Sequence, residues 1–320
     1  MPYGNLAVDT ITTSTGQVVG ASSASSMKNR LINGAMTFWQ RGTSSSSTGY
    51  LADRWSFYAG TSPSFARSTD VPSGFQYSAS VSGTTSTGLT QYVESVNCAD
   101  LSGQTITVSF WLKQTSGAGT NAIALNLYYA SSTDATYSTR IGTQQQFNTT
   151  SSWQQYSATF TSLPASTVNG MQVSIVTTSG SAVTFLVTGV QVELGASATS
   201  YEYRHYGQEL ALCQRYFQTL SGGGNNVFGA SLQMSNGNNY FSIPTKVPMR
   251  TSPTFTSSGS FQVLGSADTP LTITAGPTLR YGGADFVSLT WTISSPTTGN
   301  ASLVQFAGGG GGILNFSAEL

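Results

Sequence analysis

In residues 106–113, Ile106, Val108, Phe110 and Leu112 alternate with Thr107, Ser109, Trp111 and Lys113. A period of two puts these sets on opposite faces of an extended chain, so the segment reads as a half-buried β-strand. The same alternation runs through Phe75, Tyr77, Ala79 and Val81; Ile123, Leu125, Leu127 and Tyr129; Tyr156, Ala158 and Phe160; Met171, Val173 and Ile175; and Val190, Val192 and Leu194. Gly, Ser, Thr, Asn and Pro fill the intervals as turn formers. Many short strands separated by turn signals predict an antiparallel jelly-roll sandwich over residues 29–204.

The 320-residue chain has room for two domains and a tail. Residues 1–28 carry only scattered apolar side chains and end in a Ser/Ala stretch; they cannot bury enough surface to fold alone. They form either an extended segment ordered against a partner or a loose tail. Residues 205–220 break the period of two. Leu210, Cys213, Phe217 and Leu220 fall at helical spacing, and the Gly-rich run 221–225 would end that helix. A short helix and Gly-rich linker over 205–224 therefore joins the first domain to a smaller C-terminal β-sandwich, 225–320. Strands are expected there at 239–243, 260–264, 271–274, 287–293 and 313–318, with Pro244, Pro248 and Pro253 restricting their stretch to an edge or a connection. The fold class is all-β. The glycines 308–312 precede the last strand with no Lys-Ser or Lys-Thr after them, so they read as a turn and not a phosphate loop.

Composition narrows the function. Twelve Lys and Arg balance 12 Asp and Glu, and charged residues make up only 8% of the chain. Such a chain lacks the positive field that exchanges counterions for phosphates, which argues against nucleic-acid binding. No apolar run is long enough to cross a bilayer, and the start of the chain lacks the basic and apolar regions of a signal peptide; membrane insertion and secretion are not expected. Cys98 and Cys213 share no metal-binding or disulfide spacing, and no cofactor is expected.

Catalytic chemistry has little material. His205 is the sole histidine, and its aromatic neighbours Tyr203 and Tyr206 suit packing better than general-base work. A glycosidase needs only two suitably spaced carboxyl groups, a condition that twelve acids meet by accident. Asn33 and Glu193 form a weak calcium candidate if the first and last strands of the domain pair, but two donors fall short of the six to eight oxygens that calcium takes. Aromatics on polar faces say more. Trp111 and Tyr128 project opposite to the apolar residues of their strands, and Tyr58 and Trp153 lie in the same region. Flat rings of this kind stack on the C–H face of a sugar or seal a protein contact, including one within a trimer. The Asn-x-Ser/Thr triplets at Asn148, Asn300 and Asn315 are expected by chance in a chain this rich in Ser and Thr.

Several strings resemble those of bacteriophage tail fibre proteins that carry a carbohydrate-binding-module-like jelly roll. They are NRLINGAMTFWQRGT at 29–43, YLADRW at 50–55, VTGVQVELG at 187–195, ATSYEYR at 198–204 and ELALCQRYF at 209–217. FSIPTKVPMRTSPT at 241–254 and FSAEL at 316–320 are similar to the distal domains of those proteins, and LAVDTI at 6–11 to their virion-attachment segment. Within these motifs Trp39 and Trp55 are expected as core anchors, with Arg41, Asp53 and Arg54 in a charge-assisted network. The resemblance implies a non-enzymatic virion protein, a homotrimer, attached to tail or capsid proteins through residues 1–28 and binding host cell-surface glycans. A capsid decoration or tail adaptor without a host receptor, and a glycan-degrading tailspike, are the competing readings.

Overall fold

The computed structural model describes residues 11–12, 18–19, 28–84, 86–117, 122–178, 182–265, 268–294, 296–308 and 311–320. The proposed attachment segment thus lies almost wholly outside the described residues; Ile11–Thr12 and Val18–Val19 pair antiparallel within it. Two of the glycines in 308–312 also lie outside.

The first domain is built from two six-stranded antiparallel sheets. One runs Ala135–Phe147, Ile123–Ser132, Met171–Thr177, Thr87–Val93, Ser56–Ala59, Gly49–Tyr50; the other Gln154–Phe160, Ile106–Ser116, Val183–Leu194, Ser78–Gly83, Ser64–Ser68, Ser44–Ser45. Most neighbouring strands are not consecutive in the chain, as in a jelly roll. Leu125, Ile175, Leu89 and Phe57 stand opposite one another across four strands of the first sheet and face inward. They meet Val108, Phe110, Leu112, Val81, Phe185 and Val187 of the second in one continuous core. Trp55 is fully buried in that core and Trp39 nearly so.

The polar face of Ile106–Ser116 is not simply exposed. Thr107 and Ser109 are buried, because residues 195–204 return across that end of the sheet, with Thr107 Oγ1 donating to the Gly195 carbonyl at 2.8 Å. Glu193, expected on an outward face, is covered by the same return, while Leu194, expected inward, is exposed where the strand ends.

The joining helix is shorter than the spacing suggested. It spans Tyr206–Gln214, and Phe217–Gly222 is a strand that pairs with the terminal strand Gly312–Ser317. Phe217 and Leu220 therefore belong to a sheet and not to a helical stripe. The C-terminal part holds a three-stranded sheet, Phe217–Gly222, Gly312–Ser317, Thr254–Gly259, and a seven-stranded one. The latter runs Pro270–Leu271, Phe261–Leu264, Ala301–Phe306, Val227–Gln233, Asn238–Pro244, Phe286–Ile293, Ile273–Gly282. Trp291, Phe306, Val287, Leu289 and Leu314 fill its core. Pro244 ends its strand, and no strand is assigned over 245–253, consistent with three closely spaced prolines.

Candidate functional site

Moving one residue along each strand of the first sheet flips the row of side chains to the outer face. There Asn126, Ser174, Thr90 and Ser56 lie in cross-strand register, followed by a row of Tyr128, Gln172 and Tyr92. With Tyr58 and Tyr137 these residues line an open cleft of about 460 Å³. Its floor is hydroxyl and amide: Thr90 Oγ1 and Ser174 Oγ are 2.7 Å apart, and Gln144 Nε2 donates to Asn126 Oδ1 at 3.3 Å. Its walls are tyrosine. The Tyr92 and Tyr137 rings pack with centroids 4.9 Å apart, and the Arg140 guanidinium lies 5.6 Å from the Tyr128 ring centre, its Nη2 donating to the Tyr128 hydroxyl at 3.3 Å. Burial pushes the Tyr58 and Tyr92 hydroxyls above the ordinary phenol range, so they remain protonated donors. Among the described residues no carboxylate lines the cleft.

Of the four aromatic candidates, the structure brings Tyr58 and Tyr128 together here. Trp111 is on the other sheet, and Trp153 immediately precedes that sheet's strand Gln154–Phe160. Trp153 Nε1 donates to Asp70 Oδ1 at 2.8 Å, Lys113 Nζ to Asp70 Oδ2 at 2.6 Å, and Trp111 packs against Gly189. Those hydrogen bonds hold the Asp70 carboxyl below the usual range. Sequence reasoning did not single out Tyr92, Tyr137 or the Ser/Thr/Asn row. The signal for Tyr92 was present: alternation anchored on Leu89 in TGLTQYV places Thr90 and Tyr92 on one outward face.

Asn33 and Glu193 do not converge. The Asn33 amide organises the loop after it, donating to the carbonyls of Phe38 and Asp53 and accepting from the N–H groups of Thr37 and Phe38. Glu193 accepts from Gln191 Nε2, Thr199 N and Thr199 Oγ1. Each residue is thus occupied by its own hydrogen-bond cluster. Among the described residues no group of three or more His, Cys, Asp or Glu converges as a metal site.

Arg41, Asp53 and Arg54 do share a network, but its hub is Glu319, which the sequence did not single out. Arg41 Nη2 reaches Glu319 Oε1 at 2.9 Å, Arg54 Nη1 pairs with Glu319 Oε2, and Arg41 Nη1 is 3.9 Å from Asp53 Oδ1. Arg54 Nη2 also donates to the Tyr92 carbonyl at 2.5 Å, so this network braces a strand that lines the cleft. His205 is exposed just before the helix, and both cysteines are buried; desolvation pushes the Cys98 thiol up to about 12.

A family model described as a carbohydrate binding domain matches residues 50–182, somewhat under half of the chain. No curated protein sequence matches. Among solved structures, the xylan-binding domain CBM22-1 from Paenibacillus barcinonensis aligns with 55% of this chain and 100% of its own, at 13% identity and a TM-score of 0.37. The enzymatically active domain of tailspike protein 4 from bacteriophage CBA120 aligns with 52% of this chain and 21% of its own, at 14% identity and a TM-score of 0.38. All nine cleft residues fall inside the matched stretch, so the outer face of the first sheet belongs to a segment with the sequence pattern of a carbohydrate binding domain.

Proposed function

We propose that the chain is a non-enzymatic glycan-binding protein whose tyrosine-walled cleft takes a segment of polysaccharide, and that it works as a virion fibre displaying this cleft toward a host surface. The observation that carries the first part is the cleft itself. Phenol rings offer flat faces to sugar C–H groups, and a floor of Ser, Thr, Asn and Gln offers donors and acceptors to sugar hydroxyls. A lining without carboxylates supports binding over hydrolysis, because glycosidases place two acids about the scissile bond. The virion part rests on the resemblance of the motifs at 29–43, 187–204 and 316–320, with residues 1–28 as the attachment segment. A homotrimer fits weak sites that act together, since linked copies raise avidity without new contacts.

The test is a glycan array followed by titration of the bound oligosaccharide. Tyr128→Ala is expected to weaken binding about five- to tenfold, equivalent to roughly 1 kcal/mol, while leaving the thermal midpoint nearly unchanged because the ring is only half buried. Absence of binding to any host-surface glycan would favour a scaffold within the particle. New reducing ends on incubation with the polysaccharide would overturn the non-enzymatic assignment, and a monomer by light scattering at micromolar concentration the trimer.

A further inference from the structure

The row of Tyr128, Gln172 and Tyr92 extends one strand further. Arg140, on the edge strand Ala135–Phe147, stands directly opposite Tyr128, so Arg140, Tyr128, Gln172 and Tyr92 share the outer face across four successive strands. Three strand spacings make this row roughly 14 Å long. Arg140 is exposed at the mouth of the cleft, and among the described residues it is the one charged side chain in register with the cleft lining. Its charge is not spent inside the protein. Arg30, Arg41, Arg54, Arg204, Arg215 and Arg250 each pair with a carboxylate, but among the described residues no acid pairs with Arg140. Glu94, two residues beyond Tyr92, is buried against Arg215, and Asp134, in the turn that leads into the Arg140 strand, accepts the Ser95 N–H at 2.6 Å. Arg67 and Arg280 lie close over the Tyr77 and Tyr240 rings, 4.3 and 3.7 Å from their centres. The Arg140 guanidinium stands off from Tyr128 at 5.6 Å, tethered by the hydrogen bond from Nη2 to the hydroxyl. That bond uses one of the five N–H donors of a guanidinium and leaves the others free at the edge of the ring.

We infer that the cleft selects an acidic glycan, with Arg140 receiving a sugar carboxylate at the Tyr128 end. The inference rests on the glycan-binding reading of the cleft and names the class of ligand. A guanidinium fork takes a carboxylate through two parallel, charge-assisted hydrogen bonds, and the phenol ring beside it takes the C–H face of the same sugar. The floor of hydroxyls and amides carries no charge and suits the uncharged units that follow, so the bound chain lies with its acid toward the edge strand. With a net charge of zero the molecule as a whole does not attract anions, and the preference is local to Arg140.

The probes are oligosaccharides containing glucuronate, galacturonate or N-acetylneuraminate, each paired with its carboxyl methyl ester, which differs in charge and little else. They are titrated into the full chain with heat or chemical shifts as the readout. The acid of at least one pair is expected to bind about fivefold more tightly than its ester at low salt, as an exposed charge pair allows, and the gap should close toward 1 M salt. Arg140→Gln, at an exposed position that leaves the core alone, should erase the gap and keep the affinity for the ester. Arg67→Gln removes the same charge from the other sheet and should leave the gap intact. Equal binding of acid and ester in every pair, a gap that survives Arg140→Gln, or a gap lost equally in Arg67→Gln would overturn the inference while the glycan-binding reading stands. Binding of neither form of any probe, nor of any neutral glycan, would overturn that reading and the inference with it.

Discussion

Asp53 sits fully buried between Gln40 and Arg41, and its carboxyl is pushed up to about 6. Desolvation is the largest cause; the hydrogen bonds from Gln40, at 3.0 Å from the backbone N–H and 2.6 Å from Nε2, and the charge of Arg41 oppose it without cancelling it. Arg41, 3.9 Å away, also contacts Glu319, whose like charge pushes the Asp53 carboxyl further up. A folded pKa above the unfolded value near 3.8 means that the protonated form favours folding. That contribution is complete below about pH 4 and is lost as pH rises through 6, with a total on the order of 3 kcal/mol as an upper bound. Asp53→Asn cannot ionise, so its stability relative to the parent should improve progressively from pH 4 to pH 6 and level off above. Urea midpoints of both proteins at pH 4, 5, 6 and 7 check this, and a constant difference across the series would show that folding does not shift the Asp53 carboxyl.

Strands were legible where alternation was local. Ile106–Ser116, Ile123–Ser132, Met171–Thr177 and Val183–Leu194 all contain the runs that the sequence marked. Val227–Gln233, Thr254–Gly259 and Ala301–Phe306 were not marked, because glycine, serine and threonine dilute their apolar pattern and pairing with distant strands holds them. The helix was overextended for a related reason. FQTLSG is compatible with either state, and its choice of strand comes from a partner far along the chain, Phe217 standing opposite Ser317, a hundred residues later. Irregularities inside a strand are equally hidden. The register of Val183–Leu194 against Ile106–Ser116 shifts between Thr188 and Gln191, and Gly189 occupies the shift with φ at 62°. A Cβ there would lie 2.6 Å from Phe75 Cζ and 3.0 Å from Trp111 Cδ1. Gly189→Ala is thus expected to destabilise the domain by about 1–3 kcal/mol through combined backbone strain and crowding. A lowered urea midpoint with an unchanged slope is the signature; an unaltered midpoint would mean that Phe75 gives way without cost.

Between the two β parts of the molecule, each contributes a buried acid to arginines of the other. Glu319, from the C-terminal part, is held by Arg41 and Arg54 of the first domain; Glu94, from the first domain, is held by Arg215 beyond the helix and by Arg250. Aromatic rings complete the seam, with the Arg54 guanidinium 3.4 Å from the Tyr216 ring centre and that of Arg41 3.6 Å from Phe217. Arg250 donates to the Ala318 and Glu319 carbonyls, and the Tyr50 hydroxyl to the carbonyl of Leu320, so the last residues of the chain close the contact. None of this was readable from residues separated by 265 positions, although the motifs that hold Arg54 and Glu319 had each been noticed. Arg54 is fully buried, and removing its partner leaves a charge with neither water nor a counterion. Glu319→Ala should therefore cost about 3–5 kcal/mol, whereas replacing both members, Arg54→Met with Glu319→Leu, should recover much of it. A double-mutant cycle by urea denaturation measures the coupling. If the single substitution costs no more than an exposed pair would, under about 1 kcal/mol, Arg54 is reaching solvent and the two parts are not locked. A large cost recovered in the double variant would establish that the seam depends on charge compensation, and that the strand carrying Tyr92 is braced from outside its own domain.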